Sequence, residues 1–221
     1  MLMLDGAESR WIRLTPQNRI SMNTPLVHVL PLAALALLAV PAQAATVWSE
    51  GVNGDLSTNE GAPTSVAFSI GSNVVTGSVI STTDVRDYFT FTIGAGQALS
   101  SIILLAYDDP STGTANDGNT GFNAINIGST SLMPGAGNIG SFLGANHLTP
   151  SIGTDILPGL GNAGFGAAGF TGSLGPGTYT YVIQQTSPVT SAYSLQFNVV
   201  PEPSSLLLSL AGAGLVFRRR R

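Results

Sequence analysis

The side chains able to do chemistry in this 221-residue chain are few, and most are carboxylates. Between Ala45 and Val200 there are nine acids (Glu50, Asp55, Glu60, Asp84, Asp87, Asp108, Asp109, Asp117 and Asp155) against one base, Arg86, a net charge of −8 with His147 neutral. The segment from Asp108 to Gly121, DDPSTGTANDGNTG, gathers Asp108, Asp109 and Asp117 with Asn116, Asn119 and many carbonyls. Ca2+ takes about six to eight oxygen ligands, and acids of loops between strands commonly supply them. Asp108, Asp109 and Asp117 are therefore the candidate metal ligands and Ca2+ the candidate ion. The loop lacks the fixed spacing of an EF-hand or of a nonapeptide repeat, so a solvated acidic turn is the competing reading.

Nucleophilic and acid–base catalysis find little to work with. The chain has no Cys, which excludes a disulfide framework, a thiolate metal site and a Cys nucleophile. Its two His residues are His28, in the N-terminal apolar region, and His147, so no His cluster can form in the domain. A Ser-His-Asp arrangement would have to recruit His147, and no Gly-x-Ser-x-Gly elbow occurs. A glycosidase needs two carboxylates across a cleft. Asp108 and Asp109 are adjacent, and Asp84 and Asp87 are split by Arg86, so neither pair has that form. No catalytic residue is assigned. The alternative reading is a secreted hydrolase of polysaccharide or peptide, using His147 or an acidic pair. Trp48, Tyr88, Tyr107, Tyr179 and Tyr181 could stack on sugar rings, but aromatics in strands are more often core. A domain this acidic repels phosphate backbones, which argues against a nucleic-acid partner.

The elements that must carry these residues read as β. Ser65–Ile70 and Asn73–Ile80 alternate, and Asp87–Ile93 puts Phe89, Phe91 and Ile93 on one face with Tyr88, Thr90 and Thr92 on the other. Leu99–Tyr107 contains a continuous apolar stretch, suited to a strand buried on both faces. Gly121–Ile127 is shorter. Gly177–Gln185 and Ser191–Val200 read as a final hairpin, with Tyr193, Leu195, Phe197 and Val199 sharing one face. Gly-rich turns separate the runs, and no helical period survives between the ends. Residues 128–177 hold 14 glycines, and the apolar residues among them (Phe142, Leu143, Ile152, Ile156, Leu157, Leu160, Phe165 and Phe170) predict a segment that packs on the sheets. Many short strands with Gly/Pro turns give an all-β fold, a jelly-roll-like antiparallel β-sandwich. It is flanked by an N-terminal signal helix and a C-terminal membrane helix.

Both ends read as processing signals. Leu26–Val40 is a 15-residue apolar run followed by Pro41-Ala42-Gln43-Ala44. Ala42 and Ala44 form the small-x-small pattern read by signal peptidase, with cleavage after Ala44. Translation can start at Met1 or at Met22; either places residues 1–44 outside the mature domain, which covers 45–200. At the other end Val200-Pro201-Glu202-Pro203-Ser204-Ser205 leads into the apolar Leu206–Phe217 and then Arg218, Arg219, Arg220 and Arg221. Twelve residues make a helix of about 18 Å, enough for a thinned bilayer. The Arg run stays cytoplasmic by the positive-inside rule and leaves the domain outside.

Pro201-Glu202-Pro203, the apolar helix and the terminal Arg run resemble the PEP-CTERM sorting signal of exopolysaccharide-producing Gram-negative bacteria. The resemblance implies export by a signal peptide, transient retention in the inner membrane by the tail of residues 201–221, and processing near the motif by an exosortase. It implies signal peptidase and exosortase as partners, exopolysaccharide as a further one, and the cell surface or extracellular matrix as destination. In the middle, Asp84-Val85-Arg86-Asp87-Tyr88-Phe89-Thr90-Phe91, then Gly94-Ala95-Gly96-Gln97-Ala98-Leu99, Gly175-Pro176-Gly177-Thr178-Tyr179 and Tyr193-Ser194-Leu195 resemble bacterial pre-peptidase C-terminal domains. Those are small jelly-roll modules of secreted enzymes and surface proteins. Arg86 stands where an acidic or small residue is expected. The reading that results is an exported, exosortase-processed, noncatalytic module with a structural or binding role.

Overall fold

The structure, a computed structural model, describes residues 44–107, 121–131, 142–148, 152–185 and 189–202. Two sheets face each other. The first contains β1 (Ala45–Ser49), β3 (Gly71–Val79), β9 (Ser191–Pro201) and β5 (Gln97–Tyr107), in the order β1-β3-β9-β5. The second contains β2 (Thr64–Ser65), β4 (Arg86–Ile93), β8 (Gly177–Gln184), β6 (Phe122–Ile127) and β7 (Gly144–His147), in the order β2-β4-β8-β6-β7. Two short helical turns, α1 (Glu50–Asn53) and α2 (Leu157–Gly161), complete the described elements with a 3-10 turn at Gly164–Gly166.

Alternation along the strands builds the core. Phe89, Phe91 and Ile93 of β4 point inward, as do Leu195, Phe197 and Val199 of β9. Phe197 sits edge-on to Phe89 and Tyr181, with centroids 5.7 and 5.4 Å apart. Such aromatic pairs add about 0.5–1.5 kcal/mol each beyond the area they bury. The opposite face of β4 is covered as well. Tyr88 packs with Ala124, Val182, Phe142, Ala145 and Ala167 in a second apolar cluster, so part of the Gly-rich 128–177 segment lies on the sheet, as its apolar residues predict. On the other face, Gly144 pairs with Ile125 of the main core, and a Cβ there would collide with the Leu160 carbonyl oxygen.

Several expectations need correction. The sandwich is not antiparallel throughout, because the edge pairs β1–β3 and β2–β4 are parallel. Gly177–Gln184 and Ser191–Pro201 are not a hairpin: β8 pairs with β4 and β6, β9 with β3 and β5, and the connection crosses between sheets. Of Ser65–Ile70 only Ser65 lies in a strand, although Val66 is buried and Phe68 stacks on Phe91 at 4.5 Å. β5 is not buried on both faces; Leu105 is 38% exposed. Bulges at Leu99/Ser101 and Leu104/Ala106 reset its phase, so that Leu99, Ile102, Leu104 and Tyr107 all reach the core from one apolar run. Its outer edge is covered by residues 154–156, where the Ile156 amide donates to the Ile102 carbonyl (2.8 Å) and the Ile102 amide to Asp155 Oδ1 (2.9 Å).

Candidate functional site

At one end of the sandwich the chain gathers carboxylates from two separate stretches, 50–55 and 84–87. Glu50 opens α1, directly after β1, and Asp55 follows Gly54, whose φ of +88° lets the chain reverse. Asp84 closes the β3–β4 turn, held by two hydrogen bonds with Ile80, and Asp87 is the second residue of β4. One oxygen each of Glu50, Asp55 and Asp87 lies within 4.8 Å of the others.

The partners of these groups are fixed by the fold. Glu50 Oε2 accepts from the Ser78 amide at 2.8 Å, and Oε1 accepts from the Leu56 amide at 3.5 Å. Asp87 is 0% exposed; its Oδ2 accepts from the Tyr193 hydroxyl at 2.7 Å, and its Oδ1 has no hydrogen-bond donor among the described residues. Asp84 Oδ1 is buried and also lacks a donor. Gly77 makes the close approach possible, since a Cβ there would lie 2.5 Å from both Glu50 Oε1 and the Tyr193 hydroxyl oxygen. Arg86, next to Asp87, points to the other face of the strand, where its Nε donates to Gln184 Oε1 at 2.8 Å. Strand alternation therefore keeps the domain's single Arg on the opposite face from Asp87.

Burial with like charge and without a counter-charge raises the carboxyl pKa values. Burial pushes Asp87 up to about 9, with Glu50, Asp84 and Asp55 adding to it and the Tyr193 hydrogen bond opposing. Burial raises Asp84 to about 6, helped by the charges of Asp55 and Glu50. Burial also raises Glu50, against the pull of its bonds to Ser78 and Leu56. Such a group is relieved in one of two ways, by a proton or by a cation. The donor set is all hard oxygen, which fits Ca2+ and not a soft metal. Glu50, Asp55 and Asp87 are the residues that would hold the ion, and Asp84 adds charge beside them.

The residues singled out from the sequence are distributed differently. Asp108, Asp109 and Asp117 lie outside the described residues, as do Ala42, Pro203, Arg218, Arg219, Arg220 and Arg221. Ala44 is exposed and immediately precedes β1. Pro201 ends β9, and Glu202 follows it. His147 lies on the edge strand β7, its ring edge-on to Phe122 at 6.1 Å. Tyr88, Tyr107, Tyr179 and Tyr181 are buried, so they serve the core and not a sugar-stacking surface. Trp48 is half-buried, with its Nε1 buried and lacking an acceptor. Glu50 and Asp55 were not distinguishable in the sequence from other acids.

The C-terminal residues decide the export route. Residues 199–221 match the PEP-CTERM protein-sorting motif. The chain carries that motif. A PEP-CTERM motif implies an exported protein that an exosortase recognises and processes at the membrane. Among the described residues no helix is long and apolar enough to cross a membrane, and Leu206–Phe217 lies outside them. No curated protein matches the chain. Among solved structures, the pre-peptidase C-terminal domain of a collagenase from Bacillus anthracis is similar, with 13% identity, a TM-score of 0.32, and 65% of this chain and 98% of that one covered.

Proposed function

We propose that this PEP-CTERM protein is a noncatalytic module of the cell surface or exopolysaccharide matrix, whose sandwich is locked by Ca2+ at its acidic end. The carrying observation is Asp87, a fully buried carboxylate with one oxygen lacking a donor, beside two further carboxylates within 4.8 Å. Neutralising that group with an extracellular cation removes the repulsion that otherwise opposes folding, and export delivers the chain to a compartment where Ca2+ is plentiful. Ca2+ supplies only charge and coordination here. Asp87 of β4, Glu50 of α1 and Asp55 are the residues that would hold the ion, and the Tyr193 hydroxyl of β9 orients Asp87 by donating to its Oδ2. The noncatalytic reading is supported by the same geometry: oxygens of Glu50, Asp55 and Asp87 lie within 4.8 Å of one another and Asp87 is fully buried, whereas a glycosidase pair needs at least about 5 Å and a cleft.

Calorimetric titration of the exported protein with CaCl2 tests the site. One ion per chain is expected, and Asp87→Asn should abolish binding while the far-UV circular dichroism spectrum is unchanged. Undiminished Ca2+ uptake in that variant would place the ion elsewhere and remove the basis of the proposal.

A further inference from the structure

β9 is the middle strand of its sheet as far as Val199, which faces Gly71 of β3 on one side and Leu99 of β5 on the other. Beyond that rung β5 continues alone. Ala98 faces Val200, Gln97 faces Pro201, and the Glu202 amide donates to the Gly96 carbonyl at 2.8 Å. Gly96 belongs to the tight turn 94–97, with φ +70°, and the Gln97 amide closes that turn on the Gly94 carbonyl at 3.2 Å. Pro201 and Glu202 are half-buried, and Val199 is 1% exposed. Pro201 is thus the last rung of a folded sheet and the Glu202 amide is bonded beside it, with no linker between the Pro-Glu-Pro sequence and the core. The mature N-terminus expected after Ala44 is nearby: Ala45 pairs with Asn73, which pairs with Phe197. Both processing junctions fall at this end of the sandwich.

A peptidase takes its substrate extended, with the residues flanking the scissile bond inside its own cleft. A strand already bonded in a sheet must break those bonds to enter. Reaching the bonds between Val199 and Glu202 would open the β5 ladder and, at Val199, draw out a core side chain. We infer that the exosortase scissile bond lies C-terminal to Glu202, so that the processed domain keeps Pro201 and Glu202 as the end of β9. This rests on exosortase processing as stated above. In the cleavage the carbonyl carbon on the domain side passes to water or to an acceptor amine, and the tail leaves with the amino group of its new first residue. The ladder also makes the fold a brake, because the motif must loosen from β5 before the enzyme can grip it.

The test expresses the full chain in a host that carries the exosortase and measures the intact mass and C-terminal peptide of the released protein. Every released species is expected to end at Glu202 or beyond. A species ending at Val200 or Pro201 overturns the placement. A chain that keeps its whole tail overturns the exosortase reading instead, which separates the two failures. A second arm inserts six Gly/Ser residues between Val200 and Pro201, lifting the motif off β5. Release should quicken about fivefold, the factor given by one net hydrogen bond of about 1 kcal/mol. Unchanged or slower release, in a variant whose Tm matches the parent, would show that the ladder does not govern cleavage and would overturn the inference.

Discussion

The two ends of the sandwich are built from the same strands and behave in opposite ways. At one end Gly71, Ile93 and Gln97 meet Val199, Gly177 and Pro201, and the contacts are ladder hydrogen bonds closed by a glycine turn. At the other, Val79 meets Ser191 and Arg86 meets Gln184, and Asp87, which accepts from the Tyr193 hydroxyl, gathers with Glu50 and Asp55 while Asp84 adds its charge. The first end is a handle: it holds the start of the sorting motif, Val199 to Glu202, against β5. The second is incomplete as a set of charges, because four carboxylates converge where strand alternation sends the single Arg to the opposite face. The difference shows that location in a β-sandwich decides what an acid does. Asp155 caps an edge by accepting from Ile102 and Leu157, whereas Asp87, buried between sheets, is left with an oxygen lacking a donor.

The largest expected effect strikes the handle. Replacing Arg218, Arg219, Arg220 and Arg221 with Glu reverses the charge that, by the positive-inside rule, is expected to hold the tail cytoplasmic. Membrane retention and tail removal should both be lost, as fractionation and intact mass would report, while the released domain's response to Ca2+ stays as in the parent. Normal processing would show that the Arg run is dispensable. A smaller effect separates the acidic end from its surroundings. Gly77→Ala forces a methyl against Glu50 and Tyr193 and should destabilise by about 2 kcal/mol, as overpacking does. The same change should weaken Ca2+ binding at least tenfold by calorimetry, with processing at the handle unaltered. A Gly77→Ala protein as stable as the parent would mean that the carboxylates are not held as tightly as described.

The strands were legible because their faces are written in period two: Phe89, Phe91, Ile93, Leu195, Phe197 and Val199 are core in the sequence and core in the structure. Partners were not legible, because alternation assigns a face and not a neighbour. β8 and β9 look like a hairpin for that reason, and only the crossing of their connection between sheets separates them. The two bulges of β5 hid in a run of apolar residues that reads the same with or without them. At the site, Asp84 and Asp87 were visible, but Arg86 between them obscured their meaning until strand alternation turned it to the other face. Glu50 and Asp55 carry no local signature; they meet Asp87 only because β1 runs parallel to β3 and delivers α1 beside the β3–β4 turn. The candidate ligands Asp108, Asp109 and Asp117 are neighbours in sequence, whereas the group the structure assembles comes from distant stretches.

The sign of the pH dependence follows from the raised carboxyl values. Asp87 is lifted from 3.8 to about 9 and Asp84 from 3.8 to about 6, so the folded chain binds more protons than the unfolded chain between those limits. Stability without a cation must then fall as pH rises through that window. Ca2+ bound at the proposed site would compete with the protons and restore what ionisation removes, by about 2.7 kcal/mol at a hundredfold excess over its Kd. The most direct measurement is the Tm of the exported protein at about pH 5 and about pH 8, each in millimolar CaCl2 and in NaCl of matched ionic strength. The account predicts a Tm in NaCl that drops between the two pH values, and an excess shift from Ca2+ that is larger at the higher pH and disappears in Asp87→Asn. Equal shifts in the two salts, or a Ca2+ excess that survives Asp87→Asn, would contradict it.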